Sequence, residues 1–208
     1  MSLAPVLERA AAVGRAPVLS THGPGGALRP SVETFIRSVY ARRFGAEVMH
    51  FAQTLVSVRD EERGVLAAAG YRGAGGGRLF LESYLQAPVE QVLASHLGAA
   101  PPRARIVEVG HLCAGRAGEG LRLMRLLGPH LAALGFQWVA CTLTEELRHL
   151  FERLGVTPLL LGRADPAALG DQGRHWGRYY EHRPAVLAGH LPRALQQMAP
   201  ACDAEDLA

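Results

Sequence analysis

The sequence contains no lysine. All 22 of its strongly basic residues are arginine, they stand against 19 acidic residues, and the formal net charge is only +3. The absence excludes a lysine base, a lysine Schiff base and a lysine that would accept an acyl group. A net charge this close to zero also argues against a broad nucleic-acid-binding surface, so we expect no nucleic-acid partner.

Cysteine is scarce as well, with three residues that form no metal or redox motif. Cys113 and Cys141 lie in apolar, strand-like contexts and are interpreted as small core residues, and Cys202 lies in the C-terminal tail. The histidines show neither an HExxH motif nor paired ligand spacing. We therefore predict no metal site. A nucleophilic Cys113 stays open as an alternative, although no base can be placed beside it.

Long hydrophobic runs are also missing. No apolar stretch approaches the ~18 residues of a membrane span, and Glu8 and Arg9 interrupt an N-terminus that does not resemble a secretory signal. The hydrophobic content of 49% still suffices for a core. We expect a cytoplasmic protein without a membrane partner. One domain would span 31–195, between a flexible N-terminal segment over 1–30 and a flexible tail over 196–208.

The most informative stretch runs from Arg105 to Gly162. Its pattern predicts a strand, a glycine-rich turn, an amphipathic helix, a buried strand, a capped helix and another strand. A strand that leads through glycines into a helix presents backbone N–H groups, which suit a phosphate or pyrophosphate. The two strands that flank the helix would be neighbours in one sheet, which we expect to open between them. This arrangement favours a nucleotide-tailed thioester such as acyl-coenzyme A as ligand.

The glycine-rich turn supplies the candidate donor-binding residues. Glycines keep side chains out of the turn so that the backbone can approach a ligand, and arginines can bind phosphate with two parallel hydrogen bonds. The candidates are Leu112 in the strand before the turn, and Gly115, Arg116, Gly118, Gly120 and Arg122. The alternative is an ordinary solvated turn with arginines on its rim.

Two glutamates are the candidate general bases. Glu82 and Glu108 each lie within an apolar run, and a buried carboxylate without a positive partner has a raised pKa, which suits a base. Gly110 interrupts the strand of Glu108 and predicts a bulge or a close approach of the backbone. His111 follows as a base, an orienting group or a structural histidine. For both glutamates the alternative is a solvent-facing side chain or an arginine ion pair.

The remaining elements follow from periodicity and capping signals. We predict a helix over 30–45 with Ser31 as its N-cap, and a hairpin with strands over 54–60 and 65–72. The segment 78–85 reads as a strand that turns into a helix. Pro88 suits the start of the next helix.

The second half of the sequence carries further local predictions. Gly128 and Pro129 should bend or split the helix that follows the glycine turn. Thr142 and Glu145 fit a capping box, and the segment 176–180 reads as a late strand. The helix after the capping box has an apolar stripe that we interpret as core packing, formed by Leu147, Leu150, Phe151 and Leu154.

In this order, the motifs resemble the thermostable hemolysin family, which is similar to GNAT acyltransferases and acyl-homoserine-lactone synthases. The resemblance covers about residues 34–191. The glycine turn fits the later positions of the GNAT signature Gln/Arg-x-x-Gly-x-Gly/Ala, but Gly115 stands where that signature has Gln or Arg. The segments that carry the resemblance are 79–85, 105–114, 136–155, 164–165 and 176–180.

The resemblance implies a mixed α/β, GNAT-like fold in which helices flank a central sheet. It implies acyl transfer from acyl-coenzyme A or an acyl carrier protein, as co-substrate and without a tightly bound cofactor, to an amine of a small molecule. N–H groups near His111 and Leu112 would steady the oxyanion. Tyr179, with Tyr180 beside it, would protonate the thiolate, although aromatic packing is the alternative role. The synthases have Glu-x-Ser-Arg where this sequence has Glu108, Val109, Gly110 and His111, which argues against the same acceptor.

Two other functions stay open at this point. The family name implies a membrane-active, lytic protein, but the sequence offers neither a spanning segment nor a basic amphipathic helix. A GNAT-like binding module without catalysis is the other alternative, because the glycine turn departs from the signature. The oligomeric state, a homodimer included, is open as well.

Overall fold

A computed structural model describes residues 18–198. The predicted C-terminal tail with Cys202, and residues 1–17 of the predicted N-terminal segment, lie outside the described residues. Within this range one sheet has the strand order β1-β2-β3-β4-β5-β7-β6. Its strands are β1 (Leu19–His22), β2 (Thr54–Asp60), β3 (Gly64–Gly73), β4 (Ile106–Ala114), β5 (Trp138–Leu143), β6 (Leu159–Arg163) and β7 (Ala185–His190).

Helices cover both faces of the sheet. On one face α1 packs over Leu55 and Ala68, and α2 packs over the neighbouring part of the sheet with Ile106. On the other face α3 and α5 pack over Val56 and Ala67. The helices are α1 (Arg29–Phe44), α2 (Val89–Leu97), α3 (Glu119–Ala133), α4 (Glu145–Arg153) and α5 (Leu191–Met198).

The antiparallel strands β1 to β4 form one half of the sheet. The predicted hairpin is confirmed as β2 and β3, in which Thr54 lies opposite Tyr71 and Asp60 opposite Gly64. Small residues run along the middle of β3, and Ala67 and Ala68 are fully buried. They let helices approach the sheet closely from both sides. Strand β1 begins within the segment that was expected to be flexible, and it pairs with β2 from Leu19 to His22.

Strands β4 and β5 are parallel neighbours over a short distance only. Their register pairs Ile106 with Trp138 and ends at Val109 with Cys141. Beyond this point β4 continues along β3, while β5 continues along β7 to Leu143. Helix α3 connects the two strands, because parallel neighbours need a crossover connection, which is usually a helix on one face of the sheet. The predicted opening of the sheet is therefore confirmed, and we call it the fork.

Several predicted boundaries are wrong for identifiable reasons. Helix α1 begins at Arg29, before Ser31, whose hydroxyl donates to the Leu28 carbonyl instead of capping the helix. Arg29 fixes this earlier start because its guanidinium donates to the carbonyl oxygens of His22, Ala52 and Gln53. Long-range hydrogen bonds here outweigh the local capping signal.

Helix α3 continues through Gly128 and Pro129 without being split. Buried Leu127 and Leu131 hold it on the sheet, so packing outweighs the lost hydrogen bond. The Gly128 position has a packing reason, because a Cβ there would lie 2.8 Å from the Leu195 Cδ2 of α5. Glycine thus lets α3 and α5 approach.

The capping box and both further strand predictions are wrong. Strand β5 extends past Thr142, so Thr144 becomes the N-cap of α4, and its side chain forms no capping hydrogen bond. The segment 78–85 contains a 3₁₀ turn at Leu81–Tyr84 and no strand. In the segment 176–180, Trp176 ends one 3₁₀ helix and Tyr179 begins another, and Gly177 between them has a positive φ angle that a strand does not allow. The strands that were not predicted are β1 and β7.

Candidate active site

A bulge in β4 lies at the mouth of the fork. Gly70 pairs with Gly110 and Ala68 with Cys113, so His111 and Leu112 together oppose one residue of β3. The left-handed residue is His111, with φ of 55°, rather than the neighbouring glycine. The bulge was predicted from Gly110, but the residue with the strained backbone is His111, one position further along the strand.

The His111 side chain is held in one orientation. Its Nε2 atom donates to the His50 carbonyl at 3.1 Å, and its Nδ1 atom is buried without a hydrogen-bond partner. The Nδ1 atom lies close to Gly70, where a Cβ would come within 3.2 Å of it. Burial lowers the pKa of His111 to about 4. The imidazole is therefore neutral at physiological pH, and its free nitrogen faces β3.

A cavity of about 440 Å³ fills the fork, and we call it the fork cavity. Its mouth is formed by the bulge, and its walls come from β5 and from helices α3, α4 and α5. Among its lining residues are the predicted donor-binding residues Leu112, Gly115, Arg116 and Gly120. Apolar side chains that also line it include Met124, Leu127, Leu131, Val139, Leu147, Leu150, Phe151, Leu191 and Leu195.

The apolar stripe of α4 belongs to this cavity. It was predicted to be core packing, but none of the residues of α4 is buried. Leu147, Leu150 and Phe151 instead line the fork cavity. Sequence periodicity identifies such a stripe but cannot tell whether it faces protein or an internal space.

The residues of the glycine turn line two different cavities. Gly118 is the N-cap of α3 and has φ of 84°, which favours glycine. Together with Arg122 it lines a separate surface depression at the start of α3, and not the fork cavity. Arg122 is also paired with Glu119 at 3.2 Å. The Gly115 N–H donates to the Leu66 carbonyl. The turn residues that line the fork cavity are Gly115, Arg116, Ala117 and Gly120.

A second cavity, of about 300 Å³, meets the fork cavity at the bulge. Tyr40, Phe51, Phe80, Tyr84, Trp176 and Tyr179 line it, so we call it the aromatic cavity. Its charged residues include Arg72 and Glu108. The six residues that line both cavities are Tyr40, Val109, Gly110, His111, Thr142 and Tyr179.

Glu108 lies in the aromatic cavity on β4. Its two carboxylate oxygens accept hydrogen bonds from the Phe80 and Leu81 N–H groups, both at 2.8 Å. Burial raises the pKa of Glu108, and the two hydrogen bonds and Arg72 oppose that shift without cancelling it. A positioned carboxylate with a raised pKa is suited to accept a proton.

Glu82 has a different environment. Its carboxylate accepts hydrogen bonds from the Leu79 and Val89 N–H groups, and from two nitrogens of Arg103 at 2.6 and 3.0 Å. Burial would raise the pKa of Glu82, but the bonds from Arg103 and the backbone outweigh it, and the pKa is lowered. Glu82 lines neither cavity. It holds the start of α2 together with Arg103.

Two tyrosines predicted near the site have different positions. Tyr179 is buried, lines both cavities and donates its hydroxyl proton to the Thr142 carbonyl at 3.3 Å. Burial raises the pKa of Tyr179. Tyr180 lines neither cavity, and its hydroxyl lies 2.7 Å from that of Tyr84. The structure thus brings Tyr179 to the junction and leaves Tyr180 outside it.

Both described cysteines line the fork cavity. Cys113 and Cys141 are free thiols, and burial raises the pKa of each to about 12. They are thus protonated thiols at neutral pH. Within residues 18–198, no group of three potential metal ligands comes together, and none of the helices has the length and apolar character needed to traverse a bilayer.

Sequence reasoning missed the aromatic cavity. Arg72 lies opposite Glu108 in the β3–β4 ladder, and Phe80 and Trp176 come from distant loops. The register of the hairpin could have placed Arg72 beside Glu108. Loop aromatics carry no periodic signal, so their convergence could not be predicted.

The solved structures that are similar to this chain include acyl-homoserine lactone synthases, an N-acyl amino acid synthase and a putative N-acetyltransferase. BjaI, a CoA-dependent acyl-homoserine lactone synthase solved with SAM and isopentyl-CoA, is 14% identical with a TM-score of 0.59, over 89% of this chain and 89% of its own. FeeM, an N-acyl amino acid synthase from uncultured soil microbes, is 14% identical with a TM-score of 0.57, over 89% and 97%. A putative N-acetyltransferase from Lactobacillus plantarum is 11% identical with a TM-score of 0.52, over 84% and 99%.

These likenesses establish the fold: a mixed α/β, GNAT-like sheet flanked by helices. Comparison of the sequence with curated proteins gives no match. A family model matches the chain from the end of β1 through β2 to β7 and helices α1 to α4, and the match ends within α5. With residues 22–195 matched, the chain belongs to the thermostable hemolysin family.

Proposed function

We propose that this protein is an N-acyltransferase that moves an acyl group from a thioester to the amine of a small molecule. The observation that carries the proposal is the meeting of two cavities at one strand bulge. An apolar cavity in the fork suits an acyl chain and its thioester arm, and the aromatic cavity with its carboxylate suits an amine. The bulge residues Gly110 and His111 line both cavities.

The donor is a coenzyme A thioester or an acyl carrier protein, which acts as a co-substrate and not as a tightly bound cofactor. Three observations support the fork as its site: Gly115 and Arg116 lie at its rim, apolar side chains line its interior, and BjaI shares the fold and was solved with isopentyl-CoA. Backbone N–H groups of the turn and the Arg116 guanidinium would meet the phosphates. We further propose that the protein acts in the cytoplasm as a single domain.

The reaction is written with Glu108 as base. Glu108 takes one proton from the bound ammonium, and the amine nitrogen attacks the thioester carbonyl carbon. A C–N bond forms, the C–S bond breaks, and its electrons go to sulfur. The second nitrogen proton reaches the sulfur, and Tyr179 is the candidate to pass it on. Acyl thioester and ammonium thus give amide, thiol and one proton.

Stabilisation of the oxyanion is assigned to the bulge. A left-handed residue in a strand turns its peptide groups out of the regular ladder, and His111 has this conformation. N–H groups near His111 and Leu112 would donate to the carbonyl oxygen as negative charge develops on it. The neutral His111 side chain, fixed by the His50 carbonyl, holds this backbone in position.

The test combines product detection with a base variant. Purified protein is incubated with acyl-coenzyme A of several chain lengths, or acylated carrier protein, and a panel of amines, and amide products are measured by mass spectrometry. Glu108→Gln should lower turnover by roughly 10²–10⁴-fold with donor binding retained. Glu61→Gln, an exposed position in the β2–β3 turn, is the control and should leave turnover unchanged.

The pH profile gives a second readout. Glu108 must be ionised to accept a proton, and burial raises its pKa above 4.5. Wild-type turnover should therefore fall as pH decreases through this raised pKa, and Glu108→Gln should lack this acidic limb. Near-normal turnover in a folded Glu108→Gln protein would refute the role of Glu108. The absence of any amide product with every donor would refute the acyltransferase assignment itself.

A further inference from the structure

Arg72 and Glu108 are neighbours of opposite charge, but no ion pair joins them. They lie directly opposite each other in the β3–β4 ladder, so their side chains emerge on the same face. Both line the aromatic cavity. Yet the Glu108 oxygens accept hydrogen bonds from the Phe80 and Leu81 N–H groups, and Arg72 forms no ion pair with any residue between 18 and 198. Two charges of opposite sign therefore stand side by side in one cavity.

The Arg72 guanidinium is far less engaged than those of Arg29 and Arg103, two arginines that are also partly buried. Arg29 donates to Glu33 and to three carbonyl oxygens. Arg103 donates to Glu82, to Glu90 and to two carbonyl oxygens. The hydrogen bond of Arg72 is a single long one of 3.5 Å, to the Arg78 carbonyl. A guanidinium with open donors is suited to bind a carboxylate through two parallel bonds.

The rest of the cavity is lined mainly by rings and apolar side chains, and its other polar residues include Glu47, His50, Gln172 and His175. The Phe80 ring lies 5.9 Å from both the Tyr84 and the Trp176 rings, and Trp176 lies 5.4 Å from Tyr179, measured between centroids. Such rings bury an apolar side chain and also attract a cation over their faces. A volume of about 300 Å³ suits a small molecule rather than a protein segment.

We propose that the acceptor is a free α-amino acid with an aromatic or other apolar side chain. Its ammonium lies against Glu108, its carboxylate against Arg72 and its side chain among the rings. This inference rests on the proposed function and names the substrate class of the same site. A simple amine would leave Arg72 without a partner, and a diamine would place a second cation beside it. An ammonium and a carboxylate on one carbon atom, as in an α-amino acid, match both charges.

The experiment compares acceptors that differ by one carboxylate. L-phenylalanine and 2-phenylethylamine are offered separately with the donor that gives turnover. Wild-type protein should acylate phenylalanine with a kcat/KM roughly 10–100-fold higher. Arg72→Gln should lower kcat/KM for phenylalanine by a similar factor and leave phenylethylamine nearly unchanged. Arg72→Lys, which keeps the charge without the two parallel donors, should restore part of the preference. Arg78→Gln is the exposed neighbouring control and should behave as wild type.

Binding of the acceptor provides a readout that does not depend on turnover. Phenylalanine should raise the melting temperature of the wild type and of Arg78→Gln but not that of Arg72→Gln. Equal use of both acceptors by the wild type, or a preference that survives in Arg72→Gln, would overturn this inference while the acyltransferase function stands. Phenylalanine binding that requires Arg72, without acylation of any amine, would support the inferred ligand and overturn the acyltransferase function.

Discussion

At the scale of single residues, two glutamates that look alike in the sequence have opposite roles. Both lie in apolar runs, and both were expected to have a raised pKa. The structure raises the pKa of Glu108 and lowers that of Glu82. The difference arises because Arg103 reaches Glu82 from 21 residues away, whereas Glu108 receives only backbone hydrogen bonds. The pairing of Glu82 with Arg103 was one of the alternatives, but the sequence could not choose between the two glutamates.

We predict that Glu82→Gln destabilises the protein. It removes a carboxylate that is only 5% exposed and leaves Arg103 without that partner, so the free energy of unfolding should fall by roughly 2–3 kcal/mol. Because the folded-state pKa of Glu82 is lowered, its contribution is present above the unfolded pKa near 4.5 and is lost as pH falls through the folded pKa. Urea titrations from neutral to acidic pH check this.

The matched control is again Glu61→Gln, which should not change stability. The difference between wild type and Glu82→Gln should shrink as the solution becomes acidic. A loss of stability that does not depend on pH would show that Glu82 acts through packing and not through its charge. In either case the two variants should differ, because Glu82→Gln should mainly lower stability and Glu108→Gln should mainly lower turnover.

At the scale of elements, the glycines of the glycine turn meet different structural requirements. Gly118 satisfies a backbone requirement, because its φ is positive. Gly120 lies in the first turn of α3 with ordinary helical geometry, and a Cβ there would meet Ala114 at 3.7 Å, a normal contact. The fold therefore tolerates a methyl group at Gly120, which lines the fork cavity.

We predict that Gly120→Ala increases stability and weakens donor binding. Replacing glycine by alanine in a helix adds about 0.5–1 kcal/mol, while the new methyl group occupies space where the thioester arm would pass. Thermal unfolding and titration with coenzyme A or acyl-coenzyme A measure the two effects. Gly23→Ala, in an exposed loop with open space around it, controls for effects on the unfolded chain. Unchanged donor affinity would remove Gly120 from the donor site.

Helix α4 gives the second element-scale prediction. Its apolar stripe lines the fork cavity, so a larger side chain there should shorten the acyl chain that fits. Leu150→Trp should shift the preferred donor to shorter chains, as measured by turnover across an acyl-coenzyme A series. His149→Trp, on the exposed side of the same helix, should leave the profile unchanged. A chain-length profile that is the same in all three proteins would place the acyl chain elsewhere.

At the scale of the whole molecule, local patterns predicted the centre of the fold better than its edges. The hairpin, strand β4, helix α3 and strand β5 follow from hydrophobic alternation and glycine positions, and so does the opening between β4 and β5. Strand β7 and the 3₁₀ segments were missed, since β7 reads as a short apolar run whose partners, β5 and β6, are fixed only by tertiary contacts. The donor side of the site was therefore largely predictable.

The acceptor side was not predictable to the same degree. Glu108 and Tyr179 were named from local context, but the rings around them come from α1, from the loop near Phe80 and from the 3₁₀ segment with Trp176. These segments are far apart in the sequence and share no period. Arg72 was within reach of sequence reasoning, because the hairpin register and the position of β4 together place it beside Glu108. In the proposed reaction, recognition of the amine thus depends on the loops, while the sheet fixes where acyl transfer would take place.

The short contact between β4 and β5 has a mechanical consequence. Four residue pairs, from Ile106 with Trp138 to Val109 with Cys141, form the ladder that joins the four-stranded half of the sheet to the β5–β7–β6 half. We expect this short ladder to be the place where the two halves of the sheet can change their angle. A ligand bound in the fork cavity would then alter that angle. Because Glu108 lies in the ladder, such binding should also shift the position of the proposed base.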